Sequence, residues 1–116
     1  MHELALTRSV VQTVNEEAAK AGATKVRAIH LTIGYARDIV DELFEGCFEF
    51  LSRDTACAGA ELVIERIPLM VRCKACDLVY HIDVHNDATW SCPRCGKRDY
   101  VLSSGMEFQI SKIEVE

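Results

Sequence analysis

At 116 residues the chain has room for one ordinary domain, or for a small core carrying a still smaller module that needs a staple. With 49% hydrophobic and 27% charged residues, and no apolar run near the roughly 18 residues a membrane span requires, the composition predicts a globular chain with no membrane role. The formal net charge of −5 argues against nucleic acid as the main partner, because phosphate binding is led by lysine and arginine clusters. The start of the chain lacks the basic-then-apolar order of a secretory signal, so a cytoplasmic location is expected.

From Leu4 to Ala21, apolar residues at Leu4, Val10, Val11, Val14 and Ala18 recur at helical spacing, and Gly22 is a natural stop. The stretch from Lys25 to Ile33 alternates, with Ile29, Leu31 and Ile33 on one face, and predicts a strand ending at Gly34. A second helix is expected from about Asp38 to Ser52, with Ile39, Leu43, Phe44, Cys47, Phe48 and Leu51 as its apolar stripe. Ala60 to Ile67 alternates again and is closed by Pro68, and Met106 to Val115 resumes a strand pattern. Between them lies a segment of roughly 36 residues, too small to fold without metal or disulfides. The expected fold is α+β: a small three-stranded sheet packed with two helices, formed by residues 1–68 and 105–116, plus an inserted module over 69–104.

Cys73, Cys76, Cys92 and Cys95 form two C-x-x-C pairs separated by fifteen residues, a spacing that reads as zinc. Four thiolates at about 2.3 Å close a tetrahedron with no open position, which implies a structural role. A rubredoxin-like iron site uses the same ligands and remains an alternative at this stage, whereas a redox C-x-x-C would open a helix in a βαβ unit. A nucleic-acid-binding zinc ribbon is the other rival: Arg94, Lys97 and Arg98 flank the second pair, yet Leu69 to Ser104 holds five basic and four acidic residues, a net of only +1. Cys47 falls on the apolar face of the second helix and is expected in the core, while Cys57 lies in a loop without a readable role. No nucleophile-base-orienter set and no glycine-rich phosphate loop is present, so the chain is not expected to be an enzyme.

At the other end, Met1-His2-Glu3 places an α-amine, a main-chain nitrogen and an imidazole Nδ1 where they can close fused chelate rings around one ion, once the amide has lost its proton. Nitrogen donors in a plane suit Ni(II) or Cu(II), with Glu3 filling or neutralising a remaining position. Glu3 is equally a favourable acid in the first turn of a helix.

Two features combine: "MHEL" leading into an amphipathic helix, and C-x₂-C-x₁₅-C-x₂-C before a closing "KIEV" strand. Together with "HLTIGYARDIVDELFEGCFEFL" and "GAELVIERIP", they give a chain that resembles the HypA/HybF family of hydrogenase-maturation nickel metallochaperones along its whole length. The resemblance implies a protein that carries Ni(II) as transient cargo and delivers it during [NiFe]-hydrogenase maturation. It implies His2 as the essential nickel ligand, with Met1 and Glu3 supplying neighbouring donors, and structural Zn(II) on Cys73, Cys76, Cys92 and Cys95. Implied partners are a HypB-like GTPase nickel chaperone, the hydrogenase large subunit and, in some organisms, urease maturation factors, with the chain a monomer or weak homodimer. His81 and His85 are the candidates in the insert for a further nickel donor, and His30 reads as structural.

Overall fold

A Schellman turn ends the first helix and launches the central strand. Gly22, at φ 70°, donates to the Ala19 carbonyl at 3.0 Å, and Ala23 donates to Ala18 at 2.9 Å, the paired bonds that satisfy the last carbonyls of a helix. The structure, a computed structural model, describes residues 2–116, with the side chains of residues 3–116. Helix α1 (His2–Lys20) buries Val10, Val11, Val14 and Ala18 as its periodicity predicts. It begins at His2, two residues before the expected Leu4.

Strand β1 (Val26–Gly34) has Ile29, Leu31 and Ile33 fully buried. Helix α2 (Asp41–Ser52) starts three residues later than its pattern suggests. Val40, its N-cap residue, is extended at φ −90° and ψ 114°, which the β-branched pair Ile39-Val40 favours. The buried face of α2 is Phe44, Phe48 and Ser52, and it packs against α1. The stripe is narrower than expected, since Leu43 is 42% exposed and Cys47 only half-buried.

Strand β2 (Glu61–Ile67) and a long final strand, Phe108–Val115, flank β1. Contacts on the β2 side ascend together, from Val26 with Ala56 to Tyr35 with Ile67, so β2 runs parallel to β1 after the α2 crossover. On the other side Gly34 bonds to Glu107 and Lys25 to Glu116, the antiparallel sense. Between β2 and the final strand lie β3 (Met70–Cys73), β4 (Val79–His81), a 3-10 turn at Asp87–Thr89 and β5 (Tyr100–Ser104), which makes Phe108–Val115 strand β6. These three short strands form a second antiparallel sheet, ordered β4-β3-β5. The expected α+β class, with two helices, a three-stranded sheet and a cysteine-bearing insert, is present.

Two compact units result. One comprises residues 2–31, 38–65 and 109–116, and its core is the α1, α2 and β1 packing just described. The other comprises residues 32–37 and 66–108 and is centred on Leu69, Val71, Cys73, Tyr80, Ile82 and Cys92. In this second unit the backbone at Gly34 runs against the backbone at Gly105. A Cβ on Gly34 would sit 1.9 Å from the Gly105 carbonyl oxygen and 2.6 Å from the Met106 nitrogen. The approach is held by three 2.8 Å bonds, Gly34 to Glu107, Ala36 to Gly105 and Tyr35 to Ile67.

Because backbone cannot swing aside as a side chain does, Gly34→Ala is expected to destabilise the protein by about 3 kcal/mol or more. At Gly46, within α2, a Cβ meets nothing within 4 Å, so Gly46→Ala is expected to stabilise by about 0.5–1 kcal/mol. Denaturant titration of both variants checks the pair. Equal effects would contradict this packing.

Candidate metal centres

The two cysteine pairs are built as copies of one turn. Cys73 donates its N–H to Leu78 and accepts from Asp77, both at 2.8 Å; Cys92 donates to Lys97 and accepts from Gly96, also at 2.8 Å. In each, the residue after the second cysteine is left-handed, Asp77 at φ 63° and Gly96 at φ 78°. Glycine takes that conformation freely and aspartate is among the residues that tolerate it. Arg72 Nη1 donates to Asp77 Oδ1 at 2.7 Å and helps hold the first turn. This left-handed requirement at positions 77 and 96 is not legible from the cysteine spacing alone.

The turns deliver four sulfurs to one point, all within 4.8 Å of one another, with Cys73 to Cys95 at 3.6 Å and Cys76 to Cys92 at 3.5 Å. Tetrahedral bonds of about 2.3 Å require sulfur separations of about 3.8 Å, so the spacing fits one ion on four thiolates, and all six cysteines are free of disulfides. Burial opposes the Cys92 thiolate, but N–H groups of Cys95 and Arg94, with the Cys76 and Cys95 thiols, outweigh it and pull its pKa down to about 6. The Leu78 N–H favours the Cys76 thiolate, yet desolvation and the neighbouring thiols push that group up to about 11. Cys95 is raised as well: the Lys97 N–H lowers it, and desolvation with the Cys73 and Cys92 thiols outweighs that bond.

The surrounding core is thin. Tyr80 donates its hydroxyl to the Trp90 carbonyl at 3.1 Å and meets the Tyr100 ring edge-on, with centroids 6.4 Å apart. Arg98 lies over Trp90, 5.9 Å from the ring centroid, and donates to Ser91 Oγ at 3.0 Å and to the Asp87 carbonyl at 3.1 Å. One of the three cations a nucleic-acid ribbon would use is therefore engaged within the unit itself.

At the amino terminus, α1 begins at the expected donor residues. The first four N–H groups of a helix have no intrahelical acceptor, so the main-chain nitrogens of His2 and Glu3 are not claimed by the helix. The Met1 amine and the His2 imidazole lie outside the described residues and side chains. Glu3 is 7% exposed: its Oε2 accepts from the Val40 N–H at 3.1 Å, and its carbonyl accepts from the hydroxyl of the fully buried Thr7.

His30 bonds Glu114 across the sheet at 2.7 Å, and that bond holds the Glu114 carboxyl below its usual range. His81 and His85 are exposed residues of the second unit and join no cluster of metal-binding groups among the described residues. Cys57, for which no role was read, is fully buried, donates to Asn15 Oδ1 at 3.2 Å, and has its thiol pushed up by burial against a bond from Thr55.

The family model described as "Hydrogenase/urease nickel incorporation, metallochaperone, hypA" matches residues 1–115. The chain is similar to the hydrogenase maturation factor HypA of Geotalea uraniireducens (strain Rf4), 36% identical over 116 residues and covering all of both chains. It is 34% identical to that of Roseiflexus sp. (strain RS-1), covering all of this chain and 93% of the relative. The fold is shared with the solution structure of the Ni metallochaperone HypA from Helicobacter pylori, at TM-score 0.66 and 23% identity over 97% of this chain and 96% of that one. A second solution structure, of a HypA protein, aligns at TM-score 0.72 and 24% identity over 100% and 97%.

Thiols with raised pKa values must lose protons to bind a metal, so titrating metal-depleted protein with zinc at pH 7 is expected to release at least two protons per chain, those of Cys76 and Cys95. Calorimetry in buffers of different ionisation heat measures the number. Chelation is expected to shift emission from Trp90, the single tryptophan, to the red while leaving most helical circular dichroism in place. Unchanged Trp90 emission would mean that the second unit does not need its metal.

Proposed function

This chain belongs to the HypA family of hydrogenase and urease nickel-incorporation metallochaperones, and from that premise we propose that it carries Ni(II) at its amino terminus and delivers it during [NiFe]-hydrogenase maturation. The observation that carries the reading is the whole-length family match combined with an initial Met1-His2-Glu3, of which the main-chain nitrogens of His2 and Glu3 stand at the open end of α1. His2 is the essential ligand through its imidazole and main-chain nitrogen, Met1 contributes its amine, and Glu3 completes the terminal site.

Function here is binding and transfer rather than catalysis. A site made of terminal atoms leaves one side of the ion open for exchange with the next carrier. A HypB-like GTPase nickel chaperone, the hydrogenase large subunit and, where urease is made, its maturation factors are the proposed partners, in the cytoplasm. In this reading residues 1–68 and 105–116 form the nickel-binding domain and residues 69–104 the zinc-binding domain.

Cys73, Cys76, Cys92 and Cys95 are proposed to hold zinc, which supplies a closed structural crosslink between the two turns. The N–H groups of Cys95 and Arg94 favour the Cys92 thiolate, the form in which a cysteine binds metal.

His2→Ala is expected to abolish stoichiometric nickel binding while zinc content and circular dichroism stay at wild-type values, and an N-terminal tag should act the same way by consuming the amine. Calorimetric nickel titration of untagged and tagged protein checks both. Nickel retained by both variants would sink the assignment. Acidification from pH 8 to 6 should weaken nickel binding progressively, because the amine (reference pKa about 7.7–8.0) and the imidazole (about 6.5) bind only when deprotonated.

A further inference from the structure

Glu3 occupies a place in the packing that a freely coordinating carboxylate would not. In a capping box, the third residue of a helix is Glu or Gln and reaches back to the N–H of the N-cap residue. Helix α2 has Leu43 at that third position, and Val40, its N-cap residue, makes no side-chain cap bond. The bond is supplied from the other helix: Glu3 Oε2 accepts the Val40 N–H at 3.1 Å. A carboxylate left 7% exposed is costly to bury, and the positive end of α2 with this N–H is the environment that offsets the cost. One turn along α1, the Thr7 hydroxyl bonds to the Glu3 carbonyl and fixes the backbone that carries the side chain.

From these contacts we propose that the Glu3 carboxylate is a positioning group for the terminal nickel site rather than a nickel ligand: it ties the first turn of α1, with the main-chain donors of the chelate, to the N-terminus of α2. This rests on the nickel reading given above and narrows it. The contribution of the Glu3 side chain to the site is the placement of the main-chain donors, and loading nickel leaves the bond to Val40 intact. If the carboxylate moved to the metal, the N-cap of α2 would lose its acceptor, and loading would loosen the start of that helix.

The test uses untagged full-length wild type, Glu3→Gln and Glu3→Ala, with zinc content and thermal unfolding recorded for each. Amide exchange at Val40, followed without nickel, is expected to be slow in the wild type and Glu3→Gln, whose amide oxygen still accepts the bond, and faster in Glu3→Ala. Nickel affinity is expected to fall about tenfold in Glu3→Ala through lost preorganisation, and to recover to within about threefold of wild type in Glu3→Gln. The d–d absorption of bound nickel is expected to keep its wild-type position in both, because the donor set is unchanged. A shifted band in Glu3→Gln, or affinity as weak as in Glu3→Ala, would make the carboxylate a ligand and overturn the proposal. Wild-type affinity in Glu3→Ala would overturn it from the other side. If Glu3→Ala does not fold, the Glu3→Gln spectrum and the response of Val40 exchange to nickel decide alone. Failure of the wild type to take up nickel would instead refute the nickel reading, and Val40 exchange would still report whether the tether exists.

Discussion

Four sulfur atoms brought within 4.8 Å of one another set the terms for the unit that holds them. Its short strands are three to five residues long, and two of the six residues in its buried cluster are Cys73 and Cys92 themselves. Few apolar side chains remain to offset the entropy of ordering such a segment. The matching turns at Cys73–Leu78 and Cys92–Lys97, each with its left-handed residue, converge on one point, and the sulfur spacing there fits a tetrahedral ion that would join them.

The amino-terminal donor set contrasts with this in every respect that governs exchange. Its proposed donors are nitrogens rather than sulfurs, drawn from adjacent residues rather than from two distant turns. A closed four-thiolate site admits no further ligand without giving one up. A site of main-chain and imidazole nitrogens at a helix start can pass its ion on. In the proposed reading, the difference in donor softness would keep a thiophilic ion on the cysteines and leave the terminus to a metal that tolerates deprotonated amides.

The elements that sequence reading captured were those whose signal is local. The Gly22 stop, the alternation of Ile29, Leu31 and Ile33, and the spacing of the cysteine pairs each depend on neighbours a few residues away. What escaped depended on distant partners. Glu3 is buried because Val40, 37 residues on, needs an acceptor, and His30 is paired with a residue 84 positions away. Leu43 fits the apolar period of α2 yet remains exposed, because α1 covers a narrower strip of the helix than the pattern offers. Strands β3, β4 and β5 are too short for alternation to identify.

The central claim is that two metals occupy two chemically distinct donor sets in one chain. X-ray absorption at the nickel and zinc edges of doubly loaded, untagged protein tests it most directly. The expected result is nickel surrounded by nitrogen and oxygen alone, and zinc surrounded by four sulfurs at about 2.3 Å. Sulfur in the nickel shell, or zinc with fewer than four sulfurs, would contradict the account.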